Sequence, residues 1–215
     1  MIYTENIFVC LAAPLLIAVF LLKGETRRFI GFFLLGLTAC ILSGYINSFI
    51  AIAVTDNGRA TLTVAQALVR MTPICEEVMK ALPVFFFMAM ANPKREDMVA
   101  VAFAVGLGFA TFESCCYITQ YGAEDFFYAL IRGFSAGVMH TICAAILGYG
   151  LALVYGRGRL VAPVAFALLC ASCTFHSIYN LLSAAEGAWR AAGYLQPVIT
   201  AAAILLWQRR RKEPA

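Results

Sequence analysis

Several apolar segments of this sequence carry side chains that could hydrolyse a bond, bind a metal ion or relay a proton. In chain order these side chains are Glu76, Glu77, Lys80, Glu113, Arg132, His140 and His176. A carboxylate can act as a general base toward water, an imidazole or amide can stabilise an oxyanion, and carboxylates and imidazoles together can hold a metal ion. An ionised side chain at the centre of a membrane helix costs about 3 kcal/mol. If these segments cross a membrane, the polar groups therefore need a partner, a ligand or a wet cavity.

The composition indicates that the segments do lie in a bilayer. Of 215 residues, 62% are hydrophobic and 13% are charged, whereas a soluble domain carries roughly 25% charged residues. About 20 apolar residues cross the hydrocarbon core, and the runs do not alternate as barrel strands do. We therefore predict an all-α, polytopic membrane helix bundle of about seven transmembrane helices. The predicted spans are 2–22, 29–53, 63–91, 98–119, 126–154, 160–183 and 191–207.

No linker or internal repeat divides the chain, so we predict a single integral membrane domain, 1–215. Its motif-bearing core is 63–183, and a short basic tail follows at 208–215. The first apolar run lacks a basic leader, so we expect it to be a retained helix. The predicted breaks are Lys23–Glu25, Asp56–Arg59, Asn92–Asp97, Gln120–Asp125, Gly156–Arg159 and Glu186–Arg190.

The positions of the basic residues indicate a topology signal and argue against nucleic-acid binding, although the net charge is +4. The N-terminus and loops two, four and six hold only Arg59 and Arg190. Loops one, three and five and the tail hold Lys23, Arg27, Arg28, Lys94, Arg95, Arg157, Arg159, Arg209, Arg210, Arg211 and Lys212. By the positive-inside rule the N-terminus is outside and the C-terminus is cytoplasmic.

In this orientation four consecutive helices present their polar side chains between the midplane and the outer face. Glu76 and Glu77 lie near the middle of the third span, and Glu113 lies about 9 Å from the outer end of the fourth. His140 lies about 21 Å from the start of the fifth span, and His176 about 10 Å from the end of the sixth. We therefore expect one common site, open to the extracytoplasmic side.

Helical spacing predicts contacts around this site. Glu76 and Lys80 are four residues apart and can pair along the helix. Glu77 points about 100° away from Glu76, so the two carboxylates are expected to have different jobs. On the fifth span, Gly133-x-x-x-Gly137 and Ala144-x-x-x-Gly148 would let a neighbouring backbone approach closely.

Four short motifs on these spans resemble those of the PrsW family of intramembrane proteases. Glu76-Glu77-Val78-Met79-Lys80 is similar to the family's EExxK motif, and Phe112-Glu113-Ser114-Cys115-Cys116-Tyr117 is similar to FExxxY. His140-Thr141-Ile142-Cys143-Ala144 and His176-Ser177-Ile178-Tyr179-Asn180 resemble its two histidine motifs, the last being HxxxN. The family belongs to a superfamily with the type II CAAX prenyl endopeptidases and bacteriocin-processing proteins.

The resemblance implies a peptidase of the bacterial plasma membrane that cleaves a single-span membrane protein near its extracytoplasmic side. In members of the family this is the site-1 cut of an anti-sigma factor, which starts regulated intramembrane proteolysis. We expect Glu76 and Glu77 to be the general base and its partner, with His140 and His176 holding water or the oxyanion. The supporting residues are expected to be Lys80, Glu113, Tyr117 and Asn180.

Alternatives remain open on the sequence. The peptidase could be of the glutamate type, or it could depend on a divalent metal such as zinc, although the HExxH spacing is absent. The candidate ligands would be Glu76, Glu77, Glu113, His140 and His176. The same residues could form a buried polar network in a non-catalytic scaffold or immunity-type protein, with Glu113 pairing only with Arg132. A proton-coupled or metal transporter is a further alternative, but no inverted repeat supports it.

Overall fold

The computed structural model describes residues 4–54, 62–121 and 126–212, and the regular secondary structure within these ranges is entirely α-helical. This confirms the all-α prediction, and each predicted span corresponds to one helix. The seven helices are α1 (Thr4–Leu21), α2 (Gly24–Val54), α3 (Leu62–Ala91), α4 (Arg95–Tyr121), α5 (Phe126–Val154), α6 (Gly158–Ser183) and α7 (Ala188–Lys212).

Five of these helices, α1, α2, α4, α5 and α6, are long and apolar enough to cross a membrane. The chain is therefore a multi-pass membrane protein. The helix α3 carries Glu76, Glu77 and Lys80 near its middle, and α7 has arginines toward both ends. With 30 residues, α3 is about 45 Å long, more than the hydrocarbon core requires. That α3 and α7 also cross, and that the N-terminus is outside, remain predictions.

The helix ends differ from the predicted breaks. Arg95–Asp97 was expected in a loop but forms the first turn of α4, where acidic side chains interact favourably with the helix dipole. The basic tail expected from residue 208 continues α7 as far as Lys212, and cations are favoured at that end of a helix. The predicted break at Gln120–Asp125 begins too early, because α4 continues to Tyr121; its remainder, 122–125, and the predicted break at Asp56–Arg59 lie outside the described residues.

Glycines let α2 and α4 pack backbone against backbone. A Cβ on Gly36 would lie 2.2 Å from the carbonyl oxygen of Val105, and one on Gly108 would lie 2.0 Å from that of Phe33. No side chain tolerates such distances. Close backbone packing therefore joins α2 and α4 just before the Phe112–Tyr117 motif of α4.

The two small-residue motifs of α5 behave differently. At Gly148 an added Cβ would lie 2.3 Å from the side chain of Ala102, so close packing on α4 is confirmed for the second motif. Gly106 of α4 approaches the same face, where an added Cβ would lie 3.0 Å from the carbonyl oxygen of His140. For Gly133 and Gly137 the prediction was wrong, because an added Cβ would meet no described atom within 4 Å.

The helix α5 is the central element of the bundle. It packs against α4, α6, α7 and α3, and most of its length from Ser135 onward is buried. The helix α1 is peripheral, with Ala12 as its buried residue, and it packs against α2 and α4. The functional side chains of α3, α4 and α6 therefore gather around α5, and α1 covers one flank.

Candidate active site

The polar side chains of α3, α4, α5 and α6 meet in one cluster, which we call the glutamate–histidine cluster. Its members are Glu76, Glu77, Lys80, Glu113, His140 and His176. Charged and imidazole groups at this depth are expensive unless they are paired. Side chains from four helices therefore form one polar centre inside the bundle.

A continuous chain of contacts links five members of the cluster. Glu113 Oε2 lies 2.8 Å from His140 Nε2, and His140 Nδ1 lies 2.9 Å from Lys80 Nζ. Lys80 Nζ also donates to Glu77 Oε1 at 2.6 Å, and the same oxygen lies 2.8 Å from His176 Nδ1. Lys80 and Glu77 are only 1% and 3% exposed. The ion pair is therefore buried, with both partners hydrogen-bonded to a histidine.

The donors and acceptors define the state of each imidazole. An ammonium group has no lone pair, so Lys80 donates to His140 Nδ1, and the opposite nitrogen of His140 donates to Glu113. His176 Nδ1 donates to the carboxylate of Glu77. The lone pair of neutral His176 is thus on Nε2, which lies 3.6 Å from Glu76 Oε2. Each histidine has one nitrogen oriented by a carboxylate and one that can accept.

Glu76 differs from its neighbour in having no hydrogen bond at Oε2. This oxygen is buried and has no hydrogen-bond partner among the described residues. The expected Glu76–Lys80 pair was wrong, because Lys80 turns to Glu77, three residues away, which also reaches His176. The two adjacent carboxylates do have different surroundings, as their angular separation predicted. A buried acceptor without a partner costs about 1–3 kcal/mol, which points to a ligand for this oxygen.

Glu113 does not pair only with Arg132, as one alternative suggested. It bonds to His140, and the Arg132 guanidinium carbon lies 3.4 Å from the centre of the Tyr117 ring. Tyr117 therefore lies beside Arg132. Asn180 stays outside the contact chain, because none of the described residues forms a hydrogen bond with its side chain. The supporting roles expected for Tyr117 and Asn180 remain predictions.

Three members of the cluster could hold a metal ion. One ligand atom each from Glu76, His140 and His176 lies within 4.8 Å of the other two. Two imidazoles and one carboxylate form a ligand set of catalytic zinc sites, which leaves a fourth position open. Glu77 and Glu113 bond to the histidines in the manner of the carboxylates that orient metal-binding imidazoles. The residues present, including the unpartnered oxygen of Glu76, therefore fit a divalent metal.

Sequence reasoning missed the surroundings of the cluster. Lys80 Nζ lies 4.9 Å from the ring centre of Phe109, which also lies 5.0 Å from the His140 ring. Ser43 and Asn47 of α2 line a cleft that reaches Glu76 and Glu113. Their spacing of four residues in an apolar helix was a signal in the sequence. Nothing in the sequence showed which helix this face meets.

A family model described as PrsW family intramembrane metalloprotease matches residues 25–208. The match begins one residue into α2, runs through α6 and into α7, and includes every residue of the glutamate–histidine cluster.

This chain belongs to the PrsW family. The resemblance carried by the four motifs is thereby confirmed, and membership makes the chain a membrane peptidase whose substrate is a membrane protein. No curated protein and no solved structure matches the chain.

Proposed function

We propose that this PrsW family member is a metal-dependent endopeptidase that cleaves a membrane-anchored protein near the extracytoplasmic face of a bacterial plasma membrane. The observation that carries the proposal is the buried, unpartnered Oε2 of Glu76, close to the ligand atoms of His140 and His176. These three residues would hold a divalent metal such as zinc. When bound there, the metal would polarise the scissile carbonyl and activate a water molecule.

Glu113 is suited to handle the proton of the attacking water. Its side chain is 26% exposed, and Oε2 accepts a hydrogen bond from His140. The other oxygen of the Glu113 carboxylate can take a proton from water and deliver it to the leaving amine, as a general base and then a general acid. This assigns to Glu113 the proton-transfer role that the sequence suggested for Glu76 or Glu77.

Glu77 and Lys80 act as positioning residues in this proposal. Glu77 orients His176 and neutralises Lys80, and Lys80 in turn contacts His140. A buried salt bridge that also contacts both imidazoles fixes the orientation of their rings. The two imidazoles are thereby preorganised, which lowers the cost of assembling the reactive geometry.

A second mechanism is favoured by one specific contact. Lys80 Nζ lies 2.9 Å from His140 Nδ1 and occupies the lone pair that a metal would use. If Lys80 keeps this position, Glu76 Oε2 serves as the general base without a metal, and His176 Nε2, 3.6 Å away, helps to hold the water. The two mechanisms use the same residues, but only the metal-dependent one would lose activity when a chelator is added.

The proposed substrate is a single-span protein such as an anti-sigma factor, cut first on its extracytoplasmic side. The family resemblance supports this substrate class. The asymmetry of the basic residues supports the side, because under the positive-inside rule the site would lie nearer the exterior than the cytoplasm. Regulated intramembrane proteolysis would begin with this cut.

A cleavage assay with the purified full-length chain in liposomes and a single-span reporter tests the proposal. We expect Glu76→Gln, His140→Ala, His176→Ala and Glu113→Gln each to lower kcat/KM by at least roughly 10²-fold. Thr111→Ala is the matched control, because this exposed side chain on α4 bonds only to a carbonyl of its own helix. Full activity of the first three variants would end the proposal.

Chelation separates the two mechanisms. A metal-dependent enzyme should lose activity on dialysis against a chelator and regain it with zinc, and elemental analysis should find about one metal ion per chain that Glu76→Gln does not retain. A glutamate-type enzyme should be unaffected by chelation and still be inactivated by Glu76→Gln. Unchanged cleavage under chelation would therefore refute the metal and retain the peptidase.

A further inference from the structure

An open cleft on the α1–α2 flank leads to the glutamate–histidine cluster. It has a volume of about 290 Å³, of the order of the smallest ligand pockets. Side chains of four helices line it, among them Glu5, Ser43, Asn47, Ser48, Glu76 and Glu113. We call it the α2 cleft. Glu5 and Ser48 place its mouth at the end of the bundle where α1 begins and α2 ends.

The exposed surface of the cluster faces the α2 cleft. His140 and His176 are 0% and 1% exposed, whereas the side chains of Glu113 and Glu76 are 26% and 10% exposed. Both carboxylates line the cleft. A second cavity, of about 680 Å³ between α4, α5 and α7, is lined almost wholly by apolar side chains and includes no member of the cluster. A substrate that reaches the reactive carboxylates therefore comes from the α2 side.

Asn47 is the polar group of α2 best placed to bind such a substrate. The hydroxyls of Ser43 and Ser48 already donate to carbonyls of their own helix, at 2.8 Å each. No described residue forms a hydrogen bond with the side-chain amide of Asn47, which is half-buried in the cleft wall. A primary amide offers both donors and an acceptor. A half-buried side-chain amide on a membrane helix, without a hydrogen bond to any described residue, points to a polar ligand.

The chemistry of the reaction identifies that ligand. A peptide bond within a membrane helix has its N–H and C=O bonded along the helix, so the helix must unwind before water can attack the carbonyl. Unwinding in a bilayer leaves backbone groups without partners, at a cost of several kcal/mol each. A wall that supplies a donor and an acceptor next to the reactive carboxylates offsets that cost.

We propose that the α2 cleft binds the unwound segment of the membrane-anchored substrate, and that Asn47 hydrogen-bonds to its backbone beside Glu76 and Glu113. This inference rests on the proposed endopeptidase function and names the binding site for its substrate. Asn47 is a substrate-binding residue in this arrangement and takes no part in proton transfer.

The first test is kinetic and uses the full chain with a single-span reporter. Asn47→Leu should lower kcat/KM about tenfold, chiefly by raising KM, and Asn47→Gln, which keeps the amide, should recover much of the loss. Thr38→Val is the matched control, since Thr38 lies on α2 outside the cleft and bonds to a carbonyl of its own helix. Asn47→Leu with an unchanged KM would overturn the inference.

The second test locates the bound substrate and does not depend on turnover. A photo-crosslinking amino acid is placed at position 47 or at position 137, both in a Glu76→Gln background that retains uncleaved reporter. Gly137 is suitable for comparison because it lines the apolar cavity between α4, α5 and α7 and has open space around it. We expect crosslinks from position 47; crosslinks from position 137 alone would assign the substrate to the apolar cavity and refute the proposal.

The two tests distinguish the failure of this inference from that of the proposed function. If the wild-type chain cleaves the reporter and Asn47→Leu behaves like it, the cleft assignment is wrong and the endopeptidase stands. If the wild-type chain does not cleave the reporter, the endopeptidase proposal fails. The crosslinking result then still decides whether the α2 cleft binds a membrane-anchored protein.

Discussion

The buried ion pair between Glu77 and Lys80 allows a quantitative test of how the site is held together. The two side chains are 3% and 1% exposed and 2.6 Å apart. Glu77→Gln keeps an oxygen that can accept from His176 but removes the charge that balances Lys80. Removing one partner of a buried pair costs about 3–5 kcal/mol, because the other charge is left uncompensated. We expect the free energy of unfolding to fall by that amount.

A second ion pair in the same chain is a matched control. Arg28 and Asp97 join α2 to α4 at 2.5 Å, but their side chains are 30% and 22% exposed. A pair that water can reach contributes less than a buried one, about 0–1 kcal/mol at full exposure, so Asp97→Asn should have a smaller effect than Glu77→Gln. The double variant Glu77→Gln with Lys80→Met should be more stable than Glu77→Gln alone, since it removes the uncompensated charge.

The measurement is unfolding of the purified protein in mixed micelles by titration with a denaturing detergent, followed by circular dichroism. All four proteins are compared at the same protein and lipid concentrations. The reasoning would be refuted if Glu77→Gln unfolded within about 1 kcal/mol of the wild type, or if adding Lys80→Met gave no recovery.

Three further outcomes follow from the packing. Gly36→Ala should destabilise the bundle by about 1–3 kcal/mol in the same unfolding titration, because its Cβ would lie 2.2 Å from a carbonyl oxygen of α4. Gly133→Ala is the control: its Cβ would lie in open space, so it should be neutral or stabilising by up to about 1 kcal/mol. Gly106→Ala, whose Cβ would lie 3.0 Å from the carbonyl oxygen of His140, should lower kcat by up to about 10²-fold through displacement of that helix, and wild-type kcat would contradict this. Ser172→Ala should cost about 1 kcal/mol, since its hydroxyl donates to a carbonyl of α5 at 3.1 Å, and equal midpoints in the titration would contradict it.

The fold was predictable because most of the helices are long and apolar enough to span a membrane. Length and hydropathy alone identified all seven helices, and the exclusion of strands followed from backbone hydrogen bonding in lipid. The ends were less predictable, as at Arg95–Asp97, since charged residues can leave the apolar run and still continue a helix. Packing partners were not predictable either: Gly133 and Gly137 have the spacing of a helix contact but face open space.

For the candidate site, the sequence predicted which residues gather but not how they pair. The depth argument placed Glu76, Glu113, His140 and His176 at one level, and their side chains do meet. The four-residue spacing suggested that Lys80 pairs with Glu76. Spacing along one helix cannot show that Glu77 competes for Lys80, or that Glu77 also bonds to His176 on another helix. The contact between His140 and Glu113 likewise depends on how α4 and α5 are rotated against each other, which local patterns do not specify.

The balance of charge in the cluster connects its packing with its proposed cofactor. With its carboxylates ionised and its histidines neutral, Glu76, Glu77 and Glu113 carry three negative charges against the one positive charge of Lys80. Each uncompensated charge in a dry interior costs several kcal/mol. Lys80 neutralises Glu77, and Arg132, outside the cluster, interacts electrostatically with Glu113. The carboxylate without a cation of its own is therefore Glu76, which lines the α2 cleft. A divalent cation held by Glu76 and the two histidines would compensate the charge of Glu76, and the polar residues that make the bundle costly to fold would then be stabilised by that cation.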